Sequence, residues 1–130
     1  MEQELRWRVL VADDDPAIRT LIETVLRRGP YEITSCADGE SALRTFDSNG
    51  PFDVVICDFM LPGISGLDLI ERLRAHERGK VPILMVSGHT TLVMDRAKLA
   101  GADVFLNKPF TLSQLRSAVA SLVATRSPIV

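Results

Sequence analysis

The sequence predicts an α/β protein: a parallel five-stranded sheet with helices packed on both faces. Two observations carry that prediction. Short runs rich in Val, Ile and Leu alternate strictly with longer stretches of helical periodicity. The runs are mostly continuous, as strands covered on both sides must be, rather than alternating apolar with polar. Five such units in succession wind into one parallel sheet, because crossovers of this kind are right-handed and place helices on either side.

The expected strands are 9–12, 31–36, 52–57, 82–86 and 104–106. The second is the least continuous and reads as an edge. The first helical pattern is the clearest, with Ile18, Leu21, Ile22, Val25 and Leu26 along one face. Asp15 can cap it, Pro16 suits its first position, and Gly29-Pro30 stops it. The second runs over 39–47, burying Ala42, Leu43 and Phe46, and breaks at Asn49-Gly50-Pro51. The third, 67–77, presents Leu69, Ile70 and Leu73. The fourth, 92–100, is short and weakly patterned. The fifth opens on the capping box Thr111-Leu-Ser-Gln114 and aligns Leu115, Ala118, Val119 and Leu122.

At 130 residues the chain has the length of one domain, expected over 1–130 with its core at 8–124. Residues 125–130 lose the helical pattern and read as a tail or the start of a linker. A net charge of −2, with the basic residues scattered, predicts no direct binding to nucleic acid. No apolar run approaches the roughly 20 residues of a membrane span, and the first eight residues do not resemble a signal peptide. Cys36 and Cys57 sit inside apolar runs and read as buried free thiols. The expected location is cytoplasmic.

The polar residues of interest stand where the strands end, the edge at which open α/β sheets bind ligands. Strand one finishes in Asp13-Asp14-Asp15, strand three in Asp58, strand four in Ser87 and strand five in Asn107-Lys108-Pro109. Neighbouring strands lie roughly 4.8 Å apart. Two carboxylates about 5 Å apart repel by roughly 3 kcal/mol at an effective dielectric of 20. Such a group stays ionised only with shifted pKa values or a cation. An all-oxygen set favours a hard divalent ion such as Mg²⁺. Beside that ion a carboxylate can attack phosphorus, while Lys108 supplies charge and Ser87 a hydroxyl to the phosphoryl oxygens.

Each feature also has an ordinary reading. The acid triplet can be a solvated loop and helix cap, and Asp15 is assigned to capping. Asp58 can be a turn aspartate, and Ser87-Gly88 and Lys108-Pro109 plain loops. Their convergence on one edge is what favours a site.

Taken together, Val9-Leu-Val-Ala-Asp-Asp-Asp-Pro16, Asp58-Phe-Met-Leu-Pro-Gly-Ile-Ser-Gly66, Ser87-Gly88 and Lys108-Pro-Phe110 resemble the receiver domain of bacterial two-component response regulators. The likeness runs over about 8–124, in the family's order and spacing. It implies a flavodoxin-like sandwich with strand order 2-1-3-4-5. It implies Asp58 as phosphoacceptor, with Asp13, Asp14, Asp58 and the backbone carbonyl of Met60 around Mg²⁺ (Mn²⁺ as an alternative). Ser87 and Lys108 would hold the phosphoryl group, and the Lys108–Pro109 bond would be cis. Phe105 resembles the aromatic that moves with Ser87 on switching, although it also reads as plain core. Met60 and His89 occupy the positions that tune dephosphorylation, and His89 can equally be a loop residue without a role.

The resemblance implies a signalling module rather than an enzyme with turnover on other substrates. A histidine kinase or histidine phosphotransfer protein would donate the phosphoryl group. The face formed by the fourth helical stretch, the fifth strand and the last helix would meet a downstream partner, an output domain or a second copy in a homodimer. Two other classes stay open. A Mg²⁺-dependent phosphohydrolase usually carries a second acid two residues after its nucleophile, where this chain has Met60. A receiver-like interaction module that has abandoned phosphorylation would keep the fold and lose the chemistry.

Overall fold

Consecutive residues of a strand face opposite sides of the sheet, and here both sides are apolar. Val9, Val11, Val54, Ile56, Leu84 and Val86 belong to one buried cluster; Leu10, Val55, Cys57, Ile83 and Met85 belong to another. The two clusters are the two faces of one sheet, and each needs a layer of helices over it. In the computed structural model, which describes residues 6–88, 95–96, 98 and 100–126, both are covered.

The strands are β1 (Trp7–Ala12), β2 (Tyr31–Cys36), β3 (Val54–Asp58), β4 (Ile83–Ser87) and β5 (Val104–Asn107). All pair in parallel, in the order β2-β1-β3-β4-β5. The helices with defined bounds are α1 (Pro16–Leu26), α2 (Gly39–Asn49), α3 (Gly66–Ala75) and α4 (Leu112–Val123). Ile22, Val25 and Leu26 of α1 and Leu115, Val119 and Leu122 of α4 close the first cluster. Ala42 and Phe46 of α2 and Leu69, Ile70 and Leu73 of α3 close the second. Each fully buried Leu or Ile contributes roughly 1.5–3 kcal/mol. Together these residues hold the strand ends at the site in fixed register.

Strand β2 is an edge, as its broken apolar run predicts. Asp15 caps α1, accepting the Ala17 N–H at 2.9 Å, with Pro16 at the first helical position. Thr111 and Gln114 form the expected capping box at the start of α4. Of the predicted helix over 92–100, residues 95, 96, 98 and 100 are described and helical. Its other residues, together with His89 and 127–130, lie outside the described residues.

Three strands start elsewhere than predicted, β4 by a single residue, at Ile83. Trp7 extends β1, pairing with Tyr31 and donating its N–H to the Pro30 carbonyl at 2.7 Å. Phe52 and Asp53 precede β3 rather than joining it. Asp53 turns its carboxylate to the Arg8 N–H at 2.8 Å, and Phe52 packs beneath the Arg8 guanidinium. Both cysteines are free; Cys57 is buried, but Cys36 is only half-buried, with Sγ 3.5 Å from the Thr45 hydroxyl. Among the described residues, no helix is long and apolar enough to cross a membrane.

Candidate functional site

Strand β1 has β2 on one side and β3 on the other, so the order in which strands are added reverses between β1 and β3, where such folds open a crevice. Ala12 pairs with Cys57, so the residues that follow them, Asp13 and Asp58, come out side by side. The two-residue period of a strand aims them alike. Asp13 is two residues beyond Val11, Asp58 two beyond Ile56, and Lys108 two beyond Leu106. All three of those apolar residues pack in the cluster beneath α1 and α4. The three polar successors therefore turn toward the same side.

Carboxylate oxygens of Asp13, Asp14 and Asp58 lie within 4.8 Å of one another. Asp13 is 1% exposed and Asp58 6%, whereas Asp14 is exposed, so the group opens to solvent at Asp14. Lys108 reaches in from the end of β5, its Nζ 3.1 Å from Asp13 Oδ2 and 3.3 Å from Asp58 Oδ2. The Lys108 N–H donates to the Ser87 carbonyl at 2.8 Å, which ties the β5 end to β4. The Lys108–Pro109 bond is cis.

The turn after Asp58 is set by backbone contacts. Phe59 N–H donates to the Val86 carbonyl, and Gly66 N–H donates to the Phe59 carbonyl. A Cβ at Gly66 would lie 2.2 Å from the Asp58 carbonyl oxygen, so only glycine lets α3 start this close to the acid. Ser65 caps α3, accepting from the Asp68 N–H. The Met60 N–H donates to the Asp58 carboxylate, while the Met60 side chain is 60% exposed at the rim.

The electrostatics follow from burial and crowding. Burial first, and the Asp13 charge second, hold the Asp58 carboxyl above the usual carboxylate range, although Lys108 and the Met60 N–H pull it down. Burial alone would lower Lys108, but its two carboxylate partners outweigh it and the ammonium is held above its ordinary value. The Cys57 thiol is pushed up to about 12 by burial and then by the charges of Asp58 and Asp13. One ammonium set against three carboxylates leaves net negative charge. The donors are all oxygen, with Cys57 protonated, so they fit a hard divalent cation.

Ser87 ends β4, in register with Asn107, and is 1% exposed. It follows Val86, the register partner of Asp58, so it stands one residue beyond the acid on the neighbouring strand. Phe105 is partly buried against the cluster that holds Met85, where it packs as core. Sequence reasoning did not anticipate Arg19, whose Nη1 donates to the Asp13 carbonyl oxygen at 2.6 Å. Its spacing of six from Asp13 was readable, but no periodicity flags a side chain that folds back on its own helix.

Residues 9–120 match the family described as the response regulator receiver domain. The transcriptional regulatory protein TrcR of Mycobacterium tuberculosis is 34% identical over 122 residues, covering 92% of this chain and 46% of that protein. The chain spans about half the length of the curated relatives it matches. Among solved structures, the chemotaxis response regulator CheY4 of Vibrio cholerae superposes with a TM-score of 0.84 at 29% identity, covering 90% of this chain and 98% of that one. The response regulator TrrA of Thermotoga maritima, solved in complex with Mg²⁺ and BeF, gives a TM-score of 0.80 at 34% identity, covering 89% and 98%. The sheet order, the acids gathered beyond β1 and β3, and these likenesses agree: the chain belongs to the response regulator receiver domain family of two-component signalling.

Proposed function

We propose that Asp58 is the phosphoacceptor of this receiver domain. The observation that carries the reading is the single cluster of Asp13, Asp14, Asp58 and Lys108, drawn from the ends of three strands. Asp13, Asp14 and Asp58, with the Met60 carbonyl, would hold Mg²⁺ or Mn²⁺. Once bound, the ion supplies charge neutralisation at the phosphoryl oxygens.

An Asp58 carboxylate oxygen attacks the phosphorus of a phosphohistidine on a kinase or phosphotransfer protein. The P–N bond breaks, and its electron pair leaves with the imidazole nitrogen, which takes up a proton. Lys108 Nζ, already 3.3 Å from Asp58, neutralises charge on the arriving group. Ser87 lends its hydroxyl from the neighbouring strand, and its movement with Phe105 changes the face of β5 and α4 toward a partner, an output domain or a second copy. Water later hydrolyses the acyl phosphate, under the influence of Met60 and His89. The chain has no turnover on other substrates in this reading, and it works in the cytoplasm.

Incubation with acetyl phosphate and Mg²⁺ tests the assignment by intact mass. The expected result is one added phosphoryl group, lost with EDTA and in Asp58→Ala. Labelling that survives Asp58→Ala overturns it.

A further inference from the structure

Asp13 is held at four atoms. Its N–H donates to the Cys36 carbonyl at 3.1 Å, and its Oδ1 accepts the Asp15 N–H at 2.9 Å. Its Oδ2 faces Lys108 Nζ at 3.1 Å, and its carbonyl oxygen accepts from Arg19 Nη1 at 2.6 Å. The first three partners are backbone groups or the site's own lysine. The fourth is a side chain with no other part in the cluster.

Arg19 sits one turn into α1, its own N–H bonded to the Asp15 carbonyl. Its guanidinium reaches back over the helix N-terminus, where the helix dipole disfavours a cation. The Asp13 carbonyl, rather than the dipole, accounts for that placement.

The carbonyl it grips shares one rigid plane with the Asp14 N–H. Holding that oxygen restrains the plane, and with it the direction in which Asp14 leaves the backbone. Asp14 is exposed, and among the described residues no hydrogen bond restrains its carboxylate. That carboxylate nonetheless lies with those of Asp13 and Asp58.

We infer that Arg19 is a positioning residue for the ion site: by holding the 13–14 peptide it aims Asp14 at the cation shared with Asp13 and Asp58. This rests on reading the cluster as a divalent-cation site. Arg19 touches neither the ion nor the reacting atoms, so its effect falls on affinity and on local order rather than on chemistry at saturation.

The test compares wild type with Arg19→Met, which keeps the aliphatic stem and removes the donors, and with Arg19→Lys, which restores one donor. Mg²⁺ titration followed by backbone amide shifts is expected to give a Kd raised about tenfold or more in Arg19→Met, the range for lost support of a metal ligand. Arg19→Lys recovers most of it. Labelling of Asp58 at saturating Mg²⁺ stays near wild type, and the metal-free melting midpoint changes little. In metal-free protein the order parameter of the Asp14 amide falls from about 0.85 toward about 0.6 in Arg19→Met. A wild-type Kd, an unchanged Asp14 order parameter, or a Lys variant as weak as Met overturns the inference. If Arg19→Met fails to fold, Arg19→Gln takes its place, and equal affinities in Gln, Lys and wild type overturn it. Failure of the parent reading looks different: wild type then shows no Mg²⁺ titration, and the Asp14 order parameter alone decides whether Arg19 sets this peptide.

Discussion

Lys108 Nζ stands 3.3 Å from Asp58 Oδ2 and 3.1 Å from Asp13 Oδ2, so one ammonium serves two carboxylates that are themselves neighbours. Replacing it leaves both acids buried without a cation. Lys108→Met is expected to lose about 2–3 kcal/mol at pH 7 without divalent ions, somewhat less than for breaking a fully buried pair because the site is open on one side. Urea unfolding with and without Mg²⁺ measures this. A loss that Mg²⁺ leaves unrepaired contradicts shared neutralisation.

The raised Asp58 carboxyl makes a pH prediction of definite sign. The folded state holds that proton to higher pH than the unfolded chain, whose carboxyl titrates at about 3.9. Its contribution to stability is therefore fully present below the unfolded value and is lost as pH rises through the raised one. Above the raised value the metal-free protein carries the penalty of holding the charged form. Asp58→Asn should raise the metal-free melting midpoint at pH 7, with the gap closing in acid. Added Mg²⁺ should stabilise wild type more than the variant, because binding stabilises only the state that binds. A lower metal-free midpoint for Asp58→Asn at pH 7 contradicts the assignment.

Gly66 meets the backbone of Asp58 and Phe59 with no room for a methyl group. Since backbone cannot swing aside as a flexible side chain can, Gly66→Ala should cost about 2–3 kcal/mol, at the upper end for overpacking. Urea unfolding gives the loss. An alanine variant as stable as wild type, with unchanged labelling of Asp58, would falsify the close approach of α3.

Arg74 links three segments by side chain alone. Its guanidinium donates to the carbonyls of Gly79, Val81 and Gly101 and to Asp103 Oδ2, which in turn accepts the Ile83 N–H. Arg74→Met leaves these acceptors without their donor and should cost about 2–3 kcal/mol. The Ile83 amide should also exchange faster. Unaltered exchange there would mean that β4 does not depend on the clamp.

Met60 lies exposed at the rim, two residues past Asp58. An apolar side chain there hinders attacking water, whereas an amide can orient it. Met60→Asn should shorten the life of the phosphorylated state several-fold, read as decay of the phosphorylated mass after donor removal. An equal or slower decay refutes the idea.

Much of this was legible because the governing interactions are local or periodic. Asp15-Pro16 and Thr111 with Gln114 mark helix starts through residues within one turn of each other, and both caps form as read. The runs from Val9 and Val54 give β1 and β3, and their shared edge brings Asp13 to Asp58. What escaped depends on long side chains crossing between segments. Arg74 reaches 27 residues along the chain to Gly101, and Asp53 meets Arg8 45 residues away. Neither pairing leaves a trace in local periodicity. The same blindness explains the start of β3, where Phe52 and Asp53 read as the first residues of the strand but answer to Arg8.

Asp13, Asp14 and Asp15 are three copies of one residue in a row, yet they divide into a buried member, an exposed member and a helix cap. Their chemical identity hides a complete lack of redundancy. Sliding the strand by one position would still place an aspartate at two of the three positions, but each would inherit a surrounding built for another. A stretch that looks like a tolerant acidic run is thus among the least forgiving of insertion or deletion, and composition alone would never reveal it.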